Sequence, residues 1–304
     1  MKQTNNKIKN KYRIPFILFA TIPVLVSFLI FYVYVNLSSF SMAFTNSTGE
    51  FSLDNFARIM KEFQLPSSNI RLAVRNTMLT FGILLISYPF KVLVSYFIYK
   101  KIPLAGFYRV VFFLPSIIFS VCVALVFQRM VGPTGIIAQT IGELSGLDYV
   151  PELLADTRYA NTVVLLHMLW LGFPGDLIIW GGTFARIPDD VLEAGRVDGT
   201  TWITEFTKII VPMVWPTVSL QMVLMFCAIF SSSGQVFLLT GGQYGTMTLT
   251  AWMYLYMYER AGGSFQSNAY NYLSAMGVLI TVVAVSLSIV VRKISSKMNN
   301  DVEF

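Results

Sequence analysis

Few side chains in this sequence could take part in chemistry, and most of them fall inside long apolar blocks. Asp176 stands in Phe173-Pro174-Gly175-Asp176-Leu177-Ile178-Ile179-Trp180. A carboxylate at such a position is costly unless it faces a polar cavity or a partner. It reads either as a cavity or gate residue that hydrogen-bonds a solute, or as a carboxylate paired with another helix or subunit. Pro174 and Gly175 beside it predict a kink, which would expose backbone carbonyls near mid-span. Lys91 stands near the end of its own block, where it could snorkel to the surface in a structural role. Gln221, Ser231, Ser232, Ser233 and Gln235 make a later block polar. Hydroxyls and amides beside aromatic rings suit sugars, while small hydroxylated residues also serve helix–helix packing. Trp170 and Phe173 are candidate rings to stack on a sugar. His167 is the one histidine of the chain and reads as a packed residue rather than a proton carrier. Neither a catalytic constellation nor a multi-histidine metal site is visible: the chain lacks His-Glu-x-x-His and any nucleophile motif. Cys122 and Cys227 both lie in apolar blocks and read as buried thiols, outside any disulfide framework.

The elements that must position these residues follow from composition. Of 304 residues 55% are hydrophobic and 12% are charged, and mean hydropathy is +0.63. Soluble domains run nearer about a quarter charged, whereas a span through lipid needs about 20 mostly apolar residues. Six such blocks are predicted: 15–40, 72–99, 107–130, 159–185, 214–239 and 270–291. The first follows a basic leader, 1–14. It is longer than a signal peptide's apolar region and lacks a small-x-small cleavage site, so it reads as an uncleaved first helix. A polar segment, 41–70, leaves room for a short amphipathic helix near 54–63.

The net charge of +6 could suit nucleic acid, but the basic residues sit in short segments between apolar blocks and act as topology signals. With both termini inside, the inner segments hold Lys2, Lys7, Lys9, Lys11, Arg13, Lys100, Lys101, Arg109, Arg186, Arg196, Lys208, Arg292, Lys293 and Lys297. The outer side holds only Arg58, Lys61, Arg71, Arg75, Arg129, Arg158 and Arg260. The segment 132–158 supports this orientation, since it carries Glu143, Asp148, Glu152 and Asp156. The expected fold is therefore an all-α polytopic membrane protein with six transmembrane helices, N-in and C-in.

The inner loop 186–216 parses as helix, turn, helix. Pro188 suits the first helical position, and Asp189 and Asp190 follow where the helix dipole favours carboxylates. Gly199 falls at the reversal, and Thr200 or Thr201 can cap the second helix. Trp202, Phe206, Ile209 and Met213 recur on one face, and Pro212 and Pro216 would bend or end that helix. A bland connecting hairpin is the simplest reading of an inner loop. This one carries both charges and bulky apolar groups, which suit a protein partner better than water.

Glu193-Ala194-Gly195, then Asp198-Gly199, then Ile209 and Pro212 resemble the EAA loop of bacterial ABC importer permeases. That pattern runs Glu-Ala-Ala, three residues, Gly, nine residues, Ile-x-Leu-Pro, with Gly195 and Val211 as the two departures. Asp198 and Ile187-Pro188 are similar to the carbohydrate branch, which includes the maltose and glycerol-phosphate permeases. Asn76-Thr77, Arg109 with Leu114-Pro115, Trp170 with Gly172-Phe173, and Leu239-Thr240-Gly241-Gly242 extend the resemblance over about 72–291. Gln243 and Tyr244 replace the Gly-Pro of the sugar branch. The resemblance implies an ABC type I importer permease (MetI-like) fold, with a core over 71–292, an outer loop and first helix over 15–70 and a tail over 293–304.

It further implies that Glu193, Ala194, Gly195, Arg196, Asp198 and Gly199 couple to a partner ATPase, with Glu193 and Gly199 central. The substrate path would involve Trp170, Phe173, Asp176, Gln221, Ser231 and Gln235. Leu239 to Gln243 also resembles the signature of ABC ATPases, but the chain has no Gly-Lys pair for a phosphate-binding loop. ATP and magnesium are therefore expected on partner ATPase subunits, with no cofactor and no catalytic residue in this chain. The implied partners are a second permease, forming a heterodimer, two ATPase subunits and an extracytoplasmic solute-binding protein. The setting is the bacterial cytoplasmic membrane and the cargo an oligosaccharide or related sugar. A permease for another organic solute and an ion-coupled secondary transporter are the alternatives. The second would not need the 186–216 loop. A membrane-embedded enzyme would need a clustered catalytic set.

Overall fold

The computed structural model describes residues 2–146, 152–231, 234–260 and 267–299. Asp148, Ser232 and Ser233 lie outside them. The described chain is nearly all helical: α1 (Lys2–Phe28), a π-helical stretch (Leu29–Tyr34), α2 (Val35–Ala43), α3 (Asp54–Gln64), α4 (Asn69–Tyr99), α5 (Ala105–Ile117), α6 (Ser120–Val131) and α7 (Ile136–Ser145). It continues with α8 (Ala160–Leu171), α9 (Phe173–Phe184), α10 (Asp189–Val197) and α11 (Trp202–Thr204). A second π stretch (Glu205–Ile210) then leads to α12 (Val211–Cys227), α13 (Gly234–Thr240), α14 (Leu249–Arg260) and α15 (Ser267–Asn299). Six stretches are long and apolar enough to cross a membrane: Pro15–Ala43, Asn69–Tyr99, Ser120–Ser145, Ala160–Phe184, Trp202–Cys227 and Ala269–Lys297.

Two of the predicted blocks differ in detail. The third, 107–130, is broken into α5 and α6 by extended backbone at Ile118 and Phe119, after Pro115 has removed one donor from the last turn. At the start of the fifth, 214–239, Pro212 and Pro216 are expected to bend or end the second helix of the loop. Instead helix runs from Trp202 to Cys227 through both prolines. The π turn ends at Ile210, directly before Pro212, and Pro216 lies inside α12. The block then breaks after Cys227, and α13 begins at Gly234.

The chain divides into two compact units, Met1–Lys61 with Met257–Leu279, and Glu62–Tyr256 with Ile280–Phe304. In the first, asparagines tie down the segment after α2. Asn55 Nδ2 donates to the Thr45 carbonyl at 3.0 Å and Asn271 Nδ2 to the same oxygen at 2.9 Å. Phe44 packs against Phe51 and Phe56, and the Arg58 guanidinium lies over the Tyr272 ring.

The second unit is organised around α4 and α9, which pack along each other. Tyr88 meets Trp180, and Tyr96 and Tyr99 meet Phe184. Residue numbers rise together along both helices, so they run parallel. Buried Val92, Ile187, Leu192, Ile210, Val214 and Val218 complete this core. At the start of α4, Asn76 and Thr77 bind the segment after α13. Asn76 Nδ2 donates to the carbonyls of Gly245 and Met247 at 2.7 and 3.0 Å, and Thr77 Oγ1 accepts from the Leu249 N–H at 2.9 Å. Gln128 Nε2 of α6 donates to Leu238 and Leu239. The Leu239-Thr240-Gly241-Gly242 turn is thus held from both sides, and Gly241 and Gly242 adopt the left-handed conformation at φ 62° and 81° that glycine accepts at little cost.

Asn76 is fully buried, so Asn76→Leu strands two carbonyls. A loss of about 1–3 kcal/mol of stability is expected, read as a lower thermal midpoint of the purified protein. An unchanged midpoint would show that these bonds do not hold the turn.

Candidate functional site

The loop 186–216 has a buried stem and a bare tip. Pro188 is the N-cap of α10, one position earlier than expected from its sequence, and Asp189 and Asp190 occupy the first turn. Leu192 and Gly195 face inward, while Glu193, Ala194, Arg196, Asp198 and Gly199 are exposed. Val197, which the sequence reading passed over, is 87% exposed between Arg196 and Asp198. Gly199 takes the left-handed conformation at φ 70°, as a reversal at a helix end requires. Thr201 caps the second helix by accepting from the Thr204 N–H. Thr200 instead donates its hydroxyl to the Gly195 carbonyl at 2.8 Å.

The departure from alanine at Gly195 has a steric cause. A Cβ there would stand 3.0 Å from Ile209 Cδ1 and 3.3 Å from Thr200 Oγ1. Glycine lets α10 approach the π stretch closely, at some cost in helix propensity. Trp202 packs against Phe97, and Phe206 against Tyr96, both on α4. Glu205, a residue the sequence did not single out, is 3% exposed. Its carboxylate accepts from Lys100 Nζ at 2.6 Å and from the Tyr96 hydroxyl at 3.0 Å. Partial burial works against the Lys100 ammonium, but the bonds and charge supplied by Glu205 and Tyr96 outweigh it. They raise the lysine pKa above its ordinary value.

The second cluster lies mid-span. The kink falls at Gly172, between α8 and α9, with Pro174 in the first turn of α9. Lys91 of α4 does not snorkel. Its Nζ lies 2.9 Å from the Asp176 carboxylate, with side-chain exposures of 7% and 19%, and donates to the Gly172 carbonyl at 3.3 Å. An ammonium in hydrocarbon is better satisfied by a carboxylate and a freed carbonyl than by stretching to the surface. The approach is close enough that a Cβ on Gly172 would lie 2.7 Å from Nζ. Asp176 is thus paired with a lysine of a neighbouring helix within this chain.

Phe173 sits between the rings of Phe112 and Phe90 at 5.4 and 6.0 Å, with Lys91 Nζ 5.8 Å from its centroid. Trp170 belongs to another group, with its ring near Phe127 and His167. His167 is fully buried, 4.5 Å from Phe127. Gln221 is half-buried on α12, Ser231 exposed in the stretch after it, and Gln235 half-buried on α13. The structure therefore joins Phe173 to Asp176 through Lys91. Gln221, Ser231 and Gln235 hold no hydrogen bond to either among the described residues.

This arrangement is the fold of a transmembrane subunit of an ABC importer. A bacterial ABC transporter involved in the import of the acidic polysaccharide alginate superposes with a TM-score of 0.78 at 21% identity. The match covers 96% of this chain and 99% of the other. A bacterial alginate transporter in complex with an alginate pentasaccharide-bound periplasmic protein gives the same score, covering 97% of each chain. The chain is also similar in sequence to sugar ABC transporter permeases. It is 23% identical to the multiple sugar-binding transport permease MsmF of Streptococcus mutans over 92% of this chain and 94% of the relative. It is 30% identical to the maltose/maltodextrin permease MalF of Vibrio parahaemolyticus over 60% of this chain, and 25% identical to the galactooligosaccharide permease GanP of Bacillus subtilis over 62%. The matched stretches span only 36% of the Vibrio protein and 46% of the Bacillus one. No protein-family model matches the chain.

Removing one partner of a buried ion pair leaves an uncompensated charge. Lys91→Met is expected to cost roughly 3–5 kcal/mol, and adding Asp176→Leu should recover most of it. Thermal unfolding in lipid nanodiscs measures both; a double variant as unstable as the single one would refute the ion-pair account.

Proposed function

We propose that this chain is the membrane-spanning permease subunit of a binding-protein-dependent ABC importer for an oligosaccharide or related sugar. The observation that carries the reading is the 186–216 loop. A helix–turn–helix with a glycine reversal and a tip of exposed Glu193, Arg196, Val197, Asp198 and Gly199 stands on a buried stem. A charged tip bearing a bare valine suits docking into a protein groove, and the importer fold supplies the context. The sugar assignment is supported by the maltodextrin, galactooligosaccharide and multiple-sugar permeases among the relatives.

In this reading the chain lies in the bacterial cytoplasmic membrane with both termini and the loop inside. It pairs with a second, paralogous permease and carries no cofactor or catalytic residue. Two partner ATPase subunits bind ATP and magnesium, and their closure pushes the coupling loops together. The spans then turn from inward-facing to outward-facing, where a solute-binding protein delivers the sugar. Phe173, held beside the Lys91–Asp176 pair, offers an aromatic face at the kink. Trp170, Gln221, Ser231 and Gln235 are the further candidates for the path.

Two measurements test this. A Glu193→Arg, Gly199→Val variant should lose association with the ATPase subunit, because charge is inverted at the tip and a β-branched residue in the left-handed region costs at least roughly 1–2 kcal/mol. Full uptake by an intact complex carrying both changes would sink the docking role. Calorimetric titration of maltodextrins and galactooligosaccharides into the partner binding protein should show binding of at least one class. Capture of only non-carbohydrate solutes would overturn the sugar assignment.

A further inference from the structure

The buried group that the docking role leaves unused is Glu205. A contact tip needs only a stable loop, and the apolar stem supplies that through Leu192, Ile210 and Val214. Yet the first residue of the π stretch is a carboxylate, enclosed and engaged by two donors, Tyr96 of α4 and Lys100 just past its end. Burying an ion there gains little stability over an apolar residue of similar volume. What it fixes is geometry: a 2.6 Å ammonium–carboxylate contact is directional and intolerant of sliding, whereas apolar side chains can slip past one another.

The other end of this connection is the mid-span cluster. The α4 residues Tyr88, Lys91, Tyr96 and Tyr99 engage Trp180, Asp176 and Phe184 of α9, so α4 and α9 form a single parallel body. Phe173 and Asp176 ride on it. Glu205 belongs to neither helix. It starts a π stretch, and such local widenings recur at functional positions in helices. We propose that the Glu205–Lys100–Tyr96 cluster is the joint that transmits displacement of the 186–216 loop to the α4–α9 body, and so to Phe173 and Asp176. Glu205, Lys100 and Tyr96 are positioning residues that touch neither the ATPase nor the solute. The inference rests on the permease reading.

The test uses the whole complex, with partner permease and ATPase subunits in nanodiscs, and Mg-ATP with vanadate as the probe. A reporter cysteine is placed by Gly175→Cys, where a side chain meets open space in this chain, with Cys122 and Cys227 changed to serine. Its alkylation by an impermeant maleimide is compared before and after vanadate trapping. The parent should change rate by roughly fivefold or more, the scale of a substantial coupling between sites. Glu205→Gln and Lys100→Met should each keep the ATPase subunit and its hydrolysis, but lose most of that change. The exchange Glu205→Lys with Lys100→Glu should restore it, an outcome that a merely stabilising role does not predict. Single variants that respond as fully as the parent would overturn the joint, as would a parent that keeps its ATPase but shows no change. A parent that fails to retain the ATPase subunit would overturn the permease reading itself.

Discussion

Helices bordered by hydrocarbon give a charge no water to turn to, so each ion in a span must find its counter-ion within the protein. In this chain α4 meets that constraint twice, pairing Lys91 with Asp176 and, at its end, Lys100 with Glu205. Neither pair adds much net stability, because desolvation consumes most of the attraction. Their effect is on register. A helix rises about 1.5 Å per residue, so a slip of one residue between α4 and α9 would pull Lys91 from hydrogen-bonding reach of Asp176. The same slip would unseat Tyr88 from Trp180 and Tyr96 from Phe184. The aromatic contacts fill the volume between the helices, and the ion pair selects which filling is allowed.

The irregular backbone obeys the same rule. Where a span breaks, the carbonyls released have to be met by side chains from neighbouring spans. Lys91 serves Gly172, Asn76 serves Gly245 and Met247, and Gln128 serves Leu238 and Leu239. Much of the polar inventory within the membrane is therefore engaged in holding turns and kinks in place. Asp176 belongs to the same inventory, since it is paired with Lys91. Its carboxylate is already balanced by Lys91, whose ammonium also lies near the Phe173 ring.

What could be read from the sequence divides along the range of the interactions. The reversal at Gly199 depends on residues a few positions apart, and the local pattern carries that information. The number of spans was legible because hydropathy is a local sum. The partners of Lys91 and Glu205 were not, since each lies on a different helix and no periodicity links them. Lys91 was read as snorkelling because position along its own span was the available signal, whereas a facing carboxylate decided the matter. Pro212 and Pro216 misled for a related reason. Proline marks a helix end only if the preceding ladder is regular, and the π stretch beginning at Glu205 had already reset it. Gly195 departs from the motif's alanine for a reason that also lies across the fold, since a Cβ there would meet the Ile209 methyl.

These features give the loop two parts under different constraints. The stem residues Leu192, Gly195, Glu205 and Ile210 are buried and answer to packing inside this chain. The tip residues Glu193, Arg196, Val197 and Asp198 touch little within it and are free to match a partner. A partner's push produces a conformational change only through contacts that differ between states, and a flexible stem would dissipate the push in its own bending. The π stretch runs without a break into α12, and Trp215 of α12 donates to the Ser295 carbonyl of α15 at 3.0 Å. The loop is thus continuous in backbone with α12 and with α9, and touches α15 and α4 across side chains. The buried carboxylate of Glu205 makes the polar contact of the π stretch with Tyr96 and Lys100, where no backbone joins them directly.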